Sequence, residues 1–354
     1  MRQLINSKFA PQRHVNRFLC LALFGCLLFS ACESGGENGD GTNTATTDSS
    51  TTSPATPVSA KTFKNLPYNI QDTANPQQML DIHLPENVSA PRPCLVYFHQ
   101  GGWAVDSKDD PLIPEIAYLL QHQYIIANCN YRLTGAVDTS NTATFPDQIH
   151  DCKAAIRFLK ANAATYHIDS SRIVVCGQSS GGYLATMLGT TGGVASLEDK
   201  SMGAPDVSSR VRAVIDYFGP TDFMLLDNYP NIPLDSCKTT EPILVPDFLK
   251  THIDAPSFES AFMGCETLRD CDPAKIAAAN PLGYISPDDP PFLIYHGLQD
   301  CVIPDSASMA LHQTLSAANV ASELVLVPHA GHIDSVRYST PAYKEKVLNF
   351  LGGL

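Results

Sequence analysis

The chain has 354 residues, 44% of them hydrophobic, with 23 Lys+Arg against 36 Asp+Glu and a formal charge of −13. That length and apolar content suit one large α/β domain with no need of a second core. The acidic balance excludes nucleic acid, whose phosphates demand basic surface, and electrostatic binding to anionic lipid; neutral substrates fit best.

Residues 1–31 read as a signal peptide, with Arg2, Lys8, Arg13 and Arg17 and no acid ahead of an apolar run from Phe18 to Ala31. That run is shorter than the roughly 20 residues a membrane span needs, so a retained transmembrane anchor is the weaker reading. It ends in Phe29-Ser30-Ala31-Cys32, which resembles the lipobox of bacterial lipoproteins and implies a lipidated Cys32. Cutting at the competing Cys26 would strand Leu27, Leu28 and Phe29 at the mature terminus. Residues 32–60 are almost entirely Ser, Thr, Gly, Asn, Pro, Ala and a few acids, a composition that buries no core and reads as a disordered tether. Glu33 after the cysteine resembles lipoproteins sent to the outer membrane, on its periplasmic or surface face. Setting aside the four signal bases leaves 19 Lys+Arg against 36 Asp+Glu, a mature charge of −17, so membrane attachment is expected through the lipid alone.

From residue 61 the pattern becomes that of a folded domain running to 354. Gln78 to Pro85 alternates apolar and polar residues as a half-exposed strand near a sheet edge does. Cys94 to Phe98, Tyr124 to Ala127, Ile173 to Val175, Val211 to Ile215, Phe292 to Tyr295 and Leu324 to Val327 are short continuous apolar runs, suited to parallel strands buried on both faces. Between them, Pro146 to Tyr166 has a helical period, with Ile149, Cys152, Ile156 and Leu159 on one face and Lys153, Arg157 and Lys160 on the other. Further helices are expected from Pro304, with Met309, Leu311 and Leu315 apolar, and over Tyr343 to Leu351. Alternating strands and helices predict a doubly wound, mostly parallel α/β sheet. The connection from Gly219 to Pro290 is far longer than a crossover needs, so about 222–285 is expected to be a lid or pocket wall inserted after the sixth strand; surface decoration is the alternative.

With Cys20 and Cys26 removed and Cys32 lipidated, eight of the eleven cysteines remain. None forms a C-x-x-C pair or zinc-like spacing, so no metal is expected. Cys265 and Cys271 flank a short polar segment and are the best candidates for a disulfide.

The strand Ile173-Val174-Val175-Cys176 runs into Gly177-Gln178-Ser179-Ser180-Gly181-Gly182 and then a helix-compatible stretch. In that context G-x-S-x-G is a nucleophile elbow, a tight turn that pushes the serine hydroxyl out over the sheet. Only Ser179, not Ser180, has glycine at both minus two and plus two. Acyl transfer at a serine also needs a base, an acid to orient the base, and donors for the oxyanion, each just past a strand's carboxyl end. Strands ending at Phe98, Tyr295 and Val327 lead into His99-Gln100-Gly101-Gly102-Trp103, His296-Gly297 with Asp300, and His329-Ala330-Gly331-His332.

In these motifs and their order, residues 63–354 resemble the α/β-hydrolase fold serine esterases, specifically bacterial carboxylesterases with an H-G-G-G-W-type oxyanion loop, related to hormone-sensitive-lipase-like enzymes and to acetylxylan and feruloyl esterases. The resemblance rests as well on Leu80 to Pro85, Tyr131-Arg132-Leu133, Phe145-Pro146 with Asp151 and Lys153, and Gly219-Pro220-Thr221-Asp222. It implies Ser179 as nucleophile, His332 as general base, Asp300 as the orienting acid, and the backbone N–H groups of Gly101, Gly102 and Ser180 as oxyanion donors. Asp222, which also follows a strand, is the rival acid. Gln100 stands where the family's first loop glycine is usual, and it and Trp103 are expected at the pocket. His99, His296, His329 and Asp151 are expected to be structural. The implied substrate is a small-molecule or polysaccharide-linked ester, with no cofactor. A peptidase or amidase on the same fold, and an inactive binding protein, are the alternatives; the first usually carries a large extra N-terminal domain and the second usually loses the serine or histidine.

Overall fold

The computed structural model describes residues 61–227 and 252–354. The signal peptide, Cys32 and the tether lie outside them, as do Cys237 and the rest of residues 228–251 within the long insertion.

Eight strands form one sheet: β1 Lys61–Pro67, β2 Met79–Leu84, β3 Arg92–Phe98, β4 Ile125–Cys129, β5 Ile168–Gln178, β6 Ala213–Tyr217, β7 Phe292–Gly297 and β8 Ser322–Val327. Their order is β1-β2-β4-β3-β5-β6-β7-β8. β1 and β2 are antiparallel and β3 to β8 run parallel, the α/β-hydrolase arrangement. The chain's helices are α1 Pro114–Ala117, α2 Asp147–Ala161, α3 Ser180–Thr190, α4 Phe258–Met263, α5 Pro273–Ala278, α6 Ser306–Ala317, α7 Ser335–Tyr338 and α8 Pro341–Gly352 among the described residues.

The continuous apolar runs follow from cover on both faces. Successive side chains on a strand point to opposite sides, so Cys94, Val96 and Phe98 enter one core with α2, α3 and α6, while Leu95 and Tyr97 enter the other with α1 and α8. After β3 the chain moves outward to β4 and then crosses back to place β5 on β3's other side. That reversal makes the adjoining carboxyl ends of β3 and β5 a topological switch point, where open α/β sheets place their sites.

Several elements depart from the expectations. β2 lies near the sheet edge as expected, second to the β1 strand of residues 61–67, but it is mostly buried and not half-exposed. Its alternate Asp81 is buried against Lys108 at 3.0 Å and accepts the Asn65 N–H at 2.8 Å. β8, expected to be buried on both faces, is the sheet's far edge, and Ser322, Leu324 and Leu326 are half-buried. The charged face of α2 is mostly covered, with only Lys160 half-buried. Lys153 and Arg157 are buried beneath the segment that follows α3, where Arg157 meets Glu198 at 2.5 Å and Lys153 donates to the Thr191 carbonyl at 2.7 Å. On α6, Met309 is exposed while Leu311 and Leu315 are buried.

The β6–β7 connection carries α4 and α5, bridged by the expected Cys265–Cys271 disulfide. Cys301 is also disulfide-bonded, whereas Cys94, Cys129, Cys152 and Cys176 are free and buried. The part of the insertion following residue 252 packs on the core: Tyr183 on α3 donates to the Ala279 carbonyl at 2.7 Å, and the Phe145 N–H to the Phe262 carbonyl at 2.7 Å.

Candidate active site

Ser179 sits between β5 and α3 with φ 53° and ψ −121°, a conformation that costs a non-glycine residue about 1–3 kcal/mol and persists where its surroundings over-determine it. They do so here. The Ser179 N–H donates to the Tyr217 carbonyl at 2.9 Å and its carbonyl accepts the Tyr183 N–H at 3.0 Å. Gly181 allows the turn to press on the end of β3, since a Cβ there would collide with the carbonyl oxygens of Phe98 and His99.

The structure brings Ser179, His332 and Asp300 together from the ends of three strands. His332 Nε2 is 2.9 Å from Ser179 Oγ, and His332 Nδ1 donates to Asp300 Oδ2 at 2.7 Å. The other carboxylate oxygen, Oδ1, accepts the N–H groups of Val302 at 2.8 Å and Ile303 at 2.9 Å. Burial alone would raise the pKa of Asp300, but His332 and His296 beside it outweigh that and hold the carboxyl well below its usual range. An ionised acid on Nδ1 leaves Nε2 of a neutral ring free to take the serine proton. Asp222, the rival acid, is engaged elsewhere: its side chain accepts the Met224 N–H at 2.9 Å and caps the turn Phe223–Leu225.

The oxyanion loop is shaped by where its carbonyls point. His99 Nδ1 donates to the Gln100 carbonyl at 2.8 Å, and the Gly101 carbonyl accepts the N–H groups of Ala104 and Val105 at 3.0 and 3.1 Å. A trans peptide aims its N–H opposite its C=O, so the Gly101 and Gly102 N–H groups project to the other side of the loop. Neither they nor the Ser180 N–H, at the first turn of α3, donates to a backbone carbonyl among the described residues. Gly101 and Gly102 have φ +105° and +60°, which favour glycine. Gln100 is not in that region, so glutamine there imposes no left-handed strain; its Oε1 is buried without a hydrogen-bond partner among the described residues. His99 is pushed down to about 4 by burial, hence neutral, and stacks on Tyr131 at 4.2 Å between centroids. Asp151 accepts the Arg132 N–H at 2.9 Å and its Nε at 2.8 Å, bracing the strand end that carries Tyr131.

Trp103 is not an open pocket wall. It is 1% exposed, stacked on Phe262 at 4.4 Å and edge-on to Tyr183 at 5.3 Å, because α4 lies over the loop and closes an aromatic cluster around it. Phe258, from the same helix, stands directly over Gly102. Nothing in the sequence linked α4 to this loop, since the contact spans more than 150 positions. A separate cavity of about 200 Å³ lies between the start of the insertion and α6, bounded by Thr221, Asp222, Leu225, Leu226, Pro304 and Ala307, and no triad member lines it. The reading of His296 as merely structural missed that it, too, faces Asp300, at 3.3 Å; the signal available was its position four residues ahead of the acid. His329 has φ 61° and is exposed.

Comparison with known proteins adds to this geometry. A family model described as BD-FAE matches residues 80–315. The chain is 24% identical over 281 residues to Esterase LipQ of Mycobacterium tuberculosis, covering 78% of this chain and 59% of that protein. It is 26% identical over 264 residues to the probable isoprenylcysteine alpha-carbonyl methylesterase ICMEL1 of Arabidopsis thaliana, covering 73% and 49%. The chain thus spans between about half and three-fifths of the length of these relatives. Among solved structures, a truncated form of a carbohydrate esterase from gut microbiota aligns with a TM-score of 0.71 and 26% identity, covering 85% of this chain and 98% of that one. A bifunctional GH43-CE protein of Bacteroides eggerthii aligns with a TM-score of 0.63 and 28% identity, covering 84% and 38%.

Proposed function

The chain belongs to the BD-FAE family, and we propose that it is a carboxylic ester hydrolase that cleaves neutral esters through an acyl-enzyme on Ser179. The observation that carries this reading is the continuous relay from Ser179 Oγ to His332 Nε2 at 2.9 Å and from His332 Nδ1 to Asp300 Oδ2 at 2.7 Å. In the proposed cycle His332 takes the serine proton as Oγ attacks the ester carbonyl. The N–H groups of Gly101, Gly102 and Ser180 receive the developing oxyanion, each worth roughly 3 kcal/mol of transition-state stabilisation. His332 then returns the proton to the leaving alcohol, and water repeats the sequence on the acyl-enzyme. No cofactor enters these steps.

For substrate we propose short acyl groups such as acetyl, or feruloyl groups, carried on polysaccharide. A structural relative above 25% identity is titled a carbohydrate esterase and another a bifunctional GH43-CE protein, and an acidic mature chain favours uncharged sugar esters over anionic lipids.

The test compares the full chain with Ser179→Ala on p-nitrophenyl esters of increasing chain length and on acetylated and feruloylated xylan. The expected outcome is loss of hydrolysis by several orders of magnitude in the variant, with acetate or ferulate released from xylan by the unmodified protein. Hydrolysis persisting in Ser179→Ala overturns the assignment; activity on aryl esters with none on xylan overturns the substrate class.

A further inference from the structure

On the reading that Asp300 is the acid of the relay, we infer that His296 is a positioning residue for the reaction, a second imidazole that shares the Asp300 carboxylate with His332.

His296 lies in β7, four residues before Asp300, and is fully buried. Its Nε2 is 2.9 Å from the Ile303 carbonyl oxygen, an acceptor, so that nitrogen carries a proton. The same nitrogen is 3.3 Å from Asp300 Oδ2, the oxygen that also accepts His332 Nδ1–H. On the ring's other side Nδ1 meets Ser308 Oγ of α6 at 2.7 Å. The Ile303 N–H in turn donates to Asp300 Oδ1. These bonds close a circuit: His296 holds Ile303, Ile303 holds Asp300, and His296 faces Asp300 directly. The turn that presents the acid is thereby clamped to the strand it leaves.

A histidine that only filled the core would need Ile303 and Ser308 and nothing more. What sets this one apart is the shared oxygen. The charged groups facing it are Asp300, beyond the end of its own strand, and Asp216 from β6, while His332 reaches it through Asp300; α6 contributes the uncharged Ser308. Asp216 is pushed up to about 6 by burial and holds the Gly219 N–H at 3.0 Å, so it is the weaker counterion. Burial works to lower His296, yet the hydrogen bond and charge of Asp300 lift it above the ordinary histidine value. The ring therefore draws on part of the negative charge that His332 would otherwise feel. Taking it away leaves Oδ2 wholly to His332, so the base keeps its proton to higher pH.

The experiment measures kcat, KM and the pH profile of kcat/KM on p-nitrophenyl acetate for the full chain, His296→Leu and His296→Gln. Competent sites are counted by the p-nitrophenolate burst from diethyl p-nitrophenyl phosphate. In His296→Leu we expect kcat per titrated site to fall roughly tenfold with KM little changed, and the acid limb to move upward by about half a pH unit. His296→Gln, which keeps a donor toward Ile303 and Asp300, should recover most of the rate. A leucine variant with unaltered kcat per site and an unmoved acid limb overturns the proposal, whatever its stability. Should that variant not fold, Ser308→Ala carries the test: removing the Nδ1 partner shifts the acid limb if the ring positions the acid, and an unmoved limb overturns it. Undiminished kcat in Asp300→Asn would instead bring down the relay reading on which this rests.

Discussion

Gly102 meets two constraints at once. Its φ of +60° is costly for any residue with a Cβ, and a Cβ there would stand 2.6 Å from the Phe258 ring. Gly102→Ala should therefore turn or displace one proposed oxyanion donor and lower kcat roughly 10²-fold, with a much smaller change in KM. Steady-state kinetics at saturating p-nitrophenyl acetate checks this, and an unchanged kcat would show that the loop does not serve the oxyanion. At this scale the sequence was most informative where the chemistry is local. The elbow needs neighbours within two positions, and G-x-S-x-G displays them. Gln100 looked like a departure from the glycine triplet, yet left-handed angles occur at 101 and 102 and not at 100. His296 and Trp103 were read less well, because what each does is decided by a turn or helix that folds back on it. A ring 2.9 Å from a carbonyl seven residues away leaves no periodic trace.

Helix α4 is the element that ties the insertion to the oxyanion loop, and its N-terminal end is pinned by a buried pair. His252 Nδ1 and Glu259 Oε2 are 3.0 Å apart, and Ser257, the helix cap, donates to the His252 carbonyl at 3.0 Å. For His252, burial works downward but Glu259 more than offsets it and raises the folded pKa. A group raised on folding stabilises fully below its unfolded value, about 6.5, and that contribution is lost as pH rises through the folded value. Glu259 is lowered by His252 against its own burial, so its share is present above about 4.3 and lost as pH falls. Amide exchange over residues 252–285 should therefore quicken as pH climbs beyond about 6.5, after correction for intrinsic exchange. His252→Gln should abolish that dependence; a flat profile in the unmodified chain would refute the coupling. The sequence displayed most strands and long helices because burial on two faces or one writes a period. It could not show that the basic face of α2 is covered, since nothing local says that residues 191–210 fold over Lys153 and Arg157.

For the whole molecule, we propose export and attachment by a lipid at Cys32 through the tether of residues 32–60, the reading suggested by the lipobox-like Phe29-Ser30-Ala31-Cys32. With a charge of −17 on the mature chain, anionic headgroups would repel the protein, so the lipid is expected to supply the whole of the attachment. Cys32→Ala should move it from the membrane pellet to the soluble fraction on centrifugation of lysed cells, with kcat unaltered; continued sedimentation with membranes would refute the anchor. The doubly wound class was legible from alternating elements. The neighbours of each strand were not, because a run of apolar residues says it is covered and not by what. That is why β8, expected to be covered on both faces, lies instead at the far edge of the sheet.

The pairing of β6 with β7 has an implication for how this fold can vary what surrounds the site. Val214 to Tyr217 align in register with Phe292 to Tyr295 even though more than seventy residues leave and return between them. The sheet closes across that excursion, and Ser179, Asp300 and His332 all lie outside it, past the ends of strands whose register the sheet sets. The segment between Gly219 and Pro290 is therefore expected to be exchangeable as a unit, on one condition. Any replacement must bring its own counterpart to Phe258 and Phe262, since the oxyanion loop borrows its roof from the part being exchanged.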